Sequence, residues 1–158
     1  MVQFIPMTET EFQAYLAEAI QRYAEEHVRA GNWHPVEALE KSRREHEQLL
    51  PEGLASKNNY LYSIIDENSG SRLGIIWFVV DLDRPRRSAF IYDFQIFDEF
   101  RRKGYGSQAL EALEEKLRAS GIEAISLHVF GHNPIAQALY RKMGYEVTGI
   151  HMTRQIKP

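Results

Sequence analysis

The sequence predicts an α/β (α+β) fold in one domain, 1–158, with six to seven strands flanked by about four helices. Three observations carry this expectation. Two helical patterns joined at a turn fill the first third of the chain. A run of apolar, β-rich stretches with a hairpin loop follows from Tyr60 to Phe97. Then a strand, a glycine-opened helix and another strand succeed one another between Ser88 and Val129, a unit so short that it demands a parallel pair with a right-handed crossover.

Val2 to Ile5 is a short apolar run, and Pro6 ends it. Thr8-x-x-Glu11 has the pattern of a capping box, and Phe12, Leu16, Ala19, Ile20 and Tyr23 then recur at helical spacing until Gly31, a helix of about 20 residues. Asn32-Trp33-His34-Pro35 is a turn; Pro35 suits the first position of a second helix carrying Val36, Leu39, Leu49 and Leu50. Tyr60–Ile65 and Leu73–Val80 read as strands, the second nearly all apolar and therefore central. Ser88–Phe97 is the next strand. The helix after Gly104 shows Ala109, Leu110, Leu113 and Leu117 on one face and ends at Gly121. Ala124–Val129 is a strand, Asn133–Met143 a short helix, and Tyr145–Val147 with Ile150–Ile156 are expected to close the sheet.

Composition narrows the chemistry. A chain of 158 residues buries enough apolar surface to need no metal or disulfide support. With no cysteine, a disulfide framework, a thiolate nucleophile and an acyl-cysteine route are all excluded. A net charge of −3 argues against a nucleic-acid binder with a generally basic surface. No apolar run approaches the roughly 18 residues of a membrane span, and MVQFIPMTET lacks the charged and apolar regions of a secretory signal, so the expectation is a cytoplasmic protein without a membrane partner. No histidine spacing suggests a metal site.

The stretch FQIFDEFRRKGYGSQAL, Phe94 to Leu110, organises the rest. An apolar strand runs through a basic turn into a helix opened by Gly104 and Gly106, where the N–H groups of Lys103 to Ser107 are left unpaired. The helix dipole and the charges of Arg101, Arg102 and Lys103 make this an anion cradle. The spacing lacks the third glycine of a dinucleotide fingerprint and the Gly-Lys-Ser/Thr end of a P-loop.

Arg101-x-x-Gly104-x-Gly106 resembles the pyrophosphate-binding signature of the GNAT superfamily of acyl-coenzyme A dependent N-acyltransferases, and the likeness continues through Asn133-Pro-Ile-Ala136-Gln-Ala-Leu139-Tyr140-Arg-Lys-Met-Gly144-Tyr145. The detailed match covers Ser88 to Tyr145; before it, only the order of elements agrees. The resemblance implies a mixed, mostly antiparallel sheet and acetyl-CoA as cofactor. It places the pyrophosphate on Arg102, Lys103, Gly104, Tyr105, Gly106 and Ser107, beside Arg101. It places the pantetheine arm against backbone of Phe94, Gln95 and Ile96, on a strand that diverges from its neighbour, with Asn133 helping to hold it. Asn133 before Pro134 is equally an N-cap.

Acyl transfer to an amine needs a held thioester, an uncharged nucleophile, a stabilised oxyanion and a proton for the departing thiolate. The resemblance implies Tyr140 as that acid; by itself it reads as a core aromatic with a satisfied hydroxyl. In relatives that acetylate protein N-termini, a glutamate twelve residues before this tyrosine serves as the base, where this chain has His128, a departure that a neutral imidazole can accommodate. Asp93 matches an acidic residue of other relatives and is the alternative base. Either can instead be a hydrogen-bonded core polar group. The corner at Trp33 and His34 overhangs the acceptor site in the family, which makes both candidate substrate contacts; a tryptophan plugging a helix junction is the other reading. His132 is read as solvated.

The reading is therefore an N-acetyltransferase acting by direct attack in a ternary complex on a small-molecule amine or a protein amine. Glu25, Glu26 and Asp93 near the mouth favour a cationic one. A coenzyme A binding sensor without the chemistry is the rival, and a nucleotide-binding regulator is disfavoured by the glycine spacing. Dimerisation is common in the family and a homodimer is allowed for, though no residue pattern specifies it.

Overall fold

A computed structural model describes residues 1–158. Five strands form one sheet in sequence order: β1 (Val2–Pro6), β2 (Asn59–Asp66), β3 (Arg72–Asp81), β4 (Ser88–Ile96) and β5 (Ala124–Leu127). The first four pair antiparallel and β5 pairs parallel to β4, as the short crossover demands. The helices are α1 (Glu9–Arg29), α2 (Pro35–Leu49), α3 (Tyr105–Ala119) and α4 (Pro134–Lys142).

Local chemistry sets these boundaries. The Thr8 hydroxyl accepts from Glu11 N–H and the Glu11 carboxylate accepts from Thr8 N–H, the reciprocal bonds that open α1. His34 caps α2 through Nδ1, which accepts from Val36 N–H, and Pro35 follows at the first helical position. Asn133 caps α4 in the same way through Ala136 N–H.

The central β3 is buried on both faces and separates two apolar layers. On one side Phe12, Tyr15 and Ala19 of α1 pack with Leu61, Ile75 and Trp77. On the other, Ala109, Leu110, Leu113 and Leu117 of α3 pack with Leu73, Ile76, Phe78 and Ile91. Alternation along the strand sends neighbouring side chains to opposite layers, which is why a nearly continuous apolar run was needed.

One expectation fails. The sheet has five strands and not six or seven, because Tyr145–Val147 and Ile150–Ile156 form none. After Gly144, at φ +93°, the chain leaves the sheet, and residues 146–158 are all exposed. A strand exists only where a neighbour satisfies its backbone, and no strand of the sheet pairs with this segment.

Candidate functional site

The turn between β4 and α3 is built to leave donors unpaired. Arg102 stands at φ +63° and Gly104 at φ +83°, two left-handed residues that swing successive N–H groups inward. The first helical bond of α3 runs from Gln108 N–H to the Gly104 carbonyl, and no side chain caps the helix. The N–H groups of residues 102–107 consequently have no hydrogen-bond acceptor in the protein. Nothing lies within 4 Å of where a Gly104 Cβ would be, so the space above the turn is open.

The basic side chains divide their work. Arg101 turns back: its Nε donates to the Ile96 carbonyl at 2.8 Å and its Nη1 pairs with Asp98 at 2.8 Å, which straps the turn to the end of β4. Arg102 and Lys103 are exposed and hold no ion pair, so their charge is available to an anion. Gly106 does something the sequence reading missed. A Cβ there would meet Leu139 Cδ2 at 3.2 Å, so this glycine also lets α4 approach α3.

Beyond the turn the sheet opens. β4 and β5 pair only over Ser88–Ile91 and Ala124–Leu127, and Tyr92 is skipped in the register with β3, where Trp77 faces Asp93 and Phe78 faces Ile91. Such a bulge raises local twist. From Tyr92 to Ile96, β4 therefore keeps β3 on one edge and has no strand on the other, as expected for Phe94, Gln95 and Ile96. Gln95 Oε1 is buried without a partner in this stretch. Free backbone, an orphaned acceptor and an open anion cradle in continuous order fit the arm and pyrophosphate of a coenzyme A.

Asp93 is occupied. Its carboxylate accepts from Tyr15 Oη at 2.6 Å and from both Nη atoms of Arg22, at 3.1 and 2.9 Å. The fork satisfies the charge and ties α1 to β4. Burial and then the Asp93 charge push the Tyr15 phenol up; burial opposes the Arg22 charge, but Glu18 and Asp93 outweigh it and hold the guanidinium protonated. Any amine that reaches Asp93 therefore meets a carboxylate that already holds three donors. Tyr15 and Arg22, about two helical turns apart on α1, were invisible as partners because the pairings span 78 and 71 residues.

His128 follows β5, is exposed, and sets its ring edge-on to Phe130 at 5.0 Å. Tyr140 lies on α4 against the α3 layer, with Tyr145 edge-on at 5.6 Å. Burial first, then the Asp93 charge and Tyr145, push the Tyr140 phenol well above its ordinary range. Its proton is retained through neutral and mildly alkaline pH.

At the acceptor end, Trp33 stacks on His27 with ring centroids 4.0 Å apart, and His27 meets Phe130 edge-on at 5.1 Å. The α1–α2 corner thus touches the loop after β5. His34 caps α2 through Val36 N–H and is otherwise exposed at the same corner. His132 differs from expectation: its Nε2 bonds the Glu26 carboxylate, partly buried, and its ring stacks on Phe130 at 5.2 Å. His27, Glu26 and Phe130 form this contact across the mouth. Their only sequence signal was the acidic and aromatic character of two distant stretches.

Comparison with known proteins agrees with this architecture. Residues 15–145 match the model of the Acetyltransferase (GNAT) family. Two Bacillus subtilis (strain 168) proteins, each named an uncharacterized N-acetyltransferase, align nearly end to end. YdgE is 41% identical over 150 residues, 95% of this chain and 95% of its own. YycN is 38% identical over 155 residues, 98% of this chain and 99% of its own. A crystal structure of the B. subtilis acetyltransferase YycN superposes with a TM-score of 0.95 at 37% identity, over 100% of both chains. With the glycine turn, the splayed strands and the tyrosine helix in the matched region, the chain belongs to the GNAT family of acetyltransferases.

Proposed function

We propose that this protein transfers an acetyl group from acetyl-CoA to a primary amine by direct attack within a ternary complex. The observation that carries the reading is the run of six unpaired N–H groups at 102–107, continuous with the edge of β4 that β5 abandons. Acetyl-CoA supplies the activated thioester. Residues 102–107, with Arg102 and Lys103, hold its pyrophosphate; Phe94, Gln95 and Ile96 offer backbone groups to the arm; the Asn133 amide nitrogen is free for it while Oδ1 caps α4.

His128 is the stronger candidate to accept the amine proton, because Asp93 is already bonded by three donors. Tyr140 Oη, still protonated at working pH, donates to the departing thiolate. An N–H of the Phe94–Ile96 stretch serves the developing oxyanion. The acceptor enters beside Trp33 and Phe130, where aromatic faces and the Glu26 carboxylate suit a cationic amine. Activity resting on a few such groups needs no covalent enzyme intermediate.

The test is a panel of amines assayed for coenzyme A release with acetyl-CoA, alongside calorimetry with coenzyme A alone. Turnover with at least one amine is expected. Tight binding without turnover on any amine would overturn catalysis in favour of a coenzyme A sensor, and absence of binding would overturn the placement of the cofactor.

A further inference from the structure

The chain has six histidines, and five hold a hydrogen bond through a ring nitrogen: His27 with Asn32, His34 with Val36 N–H, His46 with the Ser42 carbonyl, His132 with Glu26 and His151 with Thr153. The sixth is His128. A histidine base is ordinarily aimed by a hydrogen bond to its second ring nitrogen, and this one has none. Its ring has a single aromatic neighbour, Phe130, edge-on at 5.0 Å.

Phe130 is itself braced from several directions. His132 lies flat against its ring, with 5.2 Å between centroids and 14° between planes, and is anchored to Glu26 of α1. His27 meets the ring at 90° and is fixed in turn by Asn32 and by the Trp33 indole stacked on it. The Phe130 carbonyl accepts from Asn133 N–H at 3.0 Å and from Gln137 Nε2 at 3.1 Å, which ties its backbone to the opening of α4. Turning this ring would break contacts that reach α1, the α1–α2 corner and α4 together. The exposed His128 imidazole therefore rests against a rigid surface.

We infer that Phe130, braced by His132 and His27, is a positioning residue for the proposed base: ring packing takes the place of the missing hydrogen bond and holds the His128 imidazole toward the mouth where the acceptor enters. The inference rests on His128 as the base of the proposed transfer. Proton transfer needs its partners within hydrogen-bond reach, and a displacement of about 1 Å can cost about a hundredfold in rate. Contacts on α1 and its corner thereby act on the chemical step without touching the reacting atoms.

Two readouts test this. Nuclear magnetic resonance on the full chain follows the His128 ring Cε1–H, assigned by its absence in His128→Ala. In the parent the ring should be as ordered as rigid backbone, with an order parameter of about 0.85, and in Phe130→Leu it should fall below about 0.6 while circular dichroism stays parental. Single-turnover acetyl transfer to the fastest amine of the panel is the second readout. Phe130→Leu should lose at least about tenfold in rate with coenzyme A affinity near parental, and Phe130→Tyr, which keeps a ring, should recover most of that loss. Added to His128→Ala, Phe130→Leu should cost less than about twofold further, because nothing is left to position. A mobile His128 ring in the parent, or a full tenfold loss on top of His128→Ala, would overturn the inference and leave Phe130 as a wall of the mouth. An ordered ring together with a parental rate in His128→Ala would instead overturn His128 as the base, and the positioning role would go with it.

Discussion

Gly74 on β3 and Gln95 on β4 approach so closely that a Cβ on the glycine would lie 1.9 Å from the Gln95 carbonyl oxygen. No side chain fits there. The contact presses β4 against β3 at the point where β4 has lost β5, and it thereby fixes the line along which the Phe94–Ile96 backbone faces the cleft.

Gly74→Ala must therefore move β4. Overpacking of this kind costs about 1–3 kcal/mol, and denaturant melts should show it. Coenzyme A affinity should fall in the same variant, since the displaced strand is the one that faces the arm. Gly131→Ala, where nothing lies within 4 Å, is the control and should change neither. Unaltered stability in Gly74→Ala would mean that the strands can separate without cost.

The two glycines of the turn should fail differently. Gly104 needs its left-handed backbone, which costs an L-residue about 1–2 kcal/mol, and its Cβ would project into the open space above the donors. Gly104→Val should lower coenzyme A affinity at least about tenfold by calorimetry. Gly106→Val presses on Leu139, one residue from Tyr140, so it should depress turnover as well as binding. Parental affinity in Gly104→Val would place the phosphate elsewhere.

What could be read from sequence divides along chain distance. Thr8-x-x-Glu11, Pro35, Gly104 and Asn133 act within a few residues, and each boundary they imply is present. The strand–helix–strand unit gave the parallel β4–β5 pair because so short a crossover has one solution. The misses are long-range. The partners of Asp93, Tyr15 and Arg22, come from distant α1, and His132 looks solvated until Glu26 reaches it. Ile150, Met152 and Ile156 fall at period two with Arg154 between them, but such a pattern reports an apolar face and not whether a neighbouring strand pairs with it.

Asp93 and His128 make opposite predictions. Asp93→Asn removes the charge that the Arg22 fork holds, so stability should drop by about 2 kcal/mol while the acidic limb of the pH–rate profile keeps its position. His128→Ala, at an exposed site, should leave stability within about 0.5 kcal/mol but lower turnover and shift that limb. Coenzyme A affinity should hold in the histidine variant. A shifted limb in Asp93→Asn with none in His128→Ala would return the base to the aspartate.

Tyr140 supplies the sharpest test of mechanism, because its hydroxyl is asked to act only when the thiolate departs. Tyr140→Phe keeps the ring, its contact with Tyr145 and its packing against α3, so fold and coenzyme A affinity should barely move. Turnover should fall by about 10² to 10⁴, the usual contribution of a general acid, and toward the lower value because the thiolate can also leave unaided. Burial and the Asp93 charge hold the phenol protonated well past neutrality, so loss of the hydroxyl should lower the whole pH–rate profile without displacing a limb near neutral pH. Slow release of coenzyme A can mask a slower chemical step at steady state, and single-turnover kinetics remove that masking. A parental single-turnover rate in Tyr140→Phe would show the hydroxyl to be structural and end its assignment as the acid.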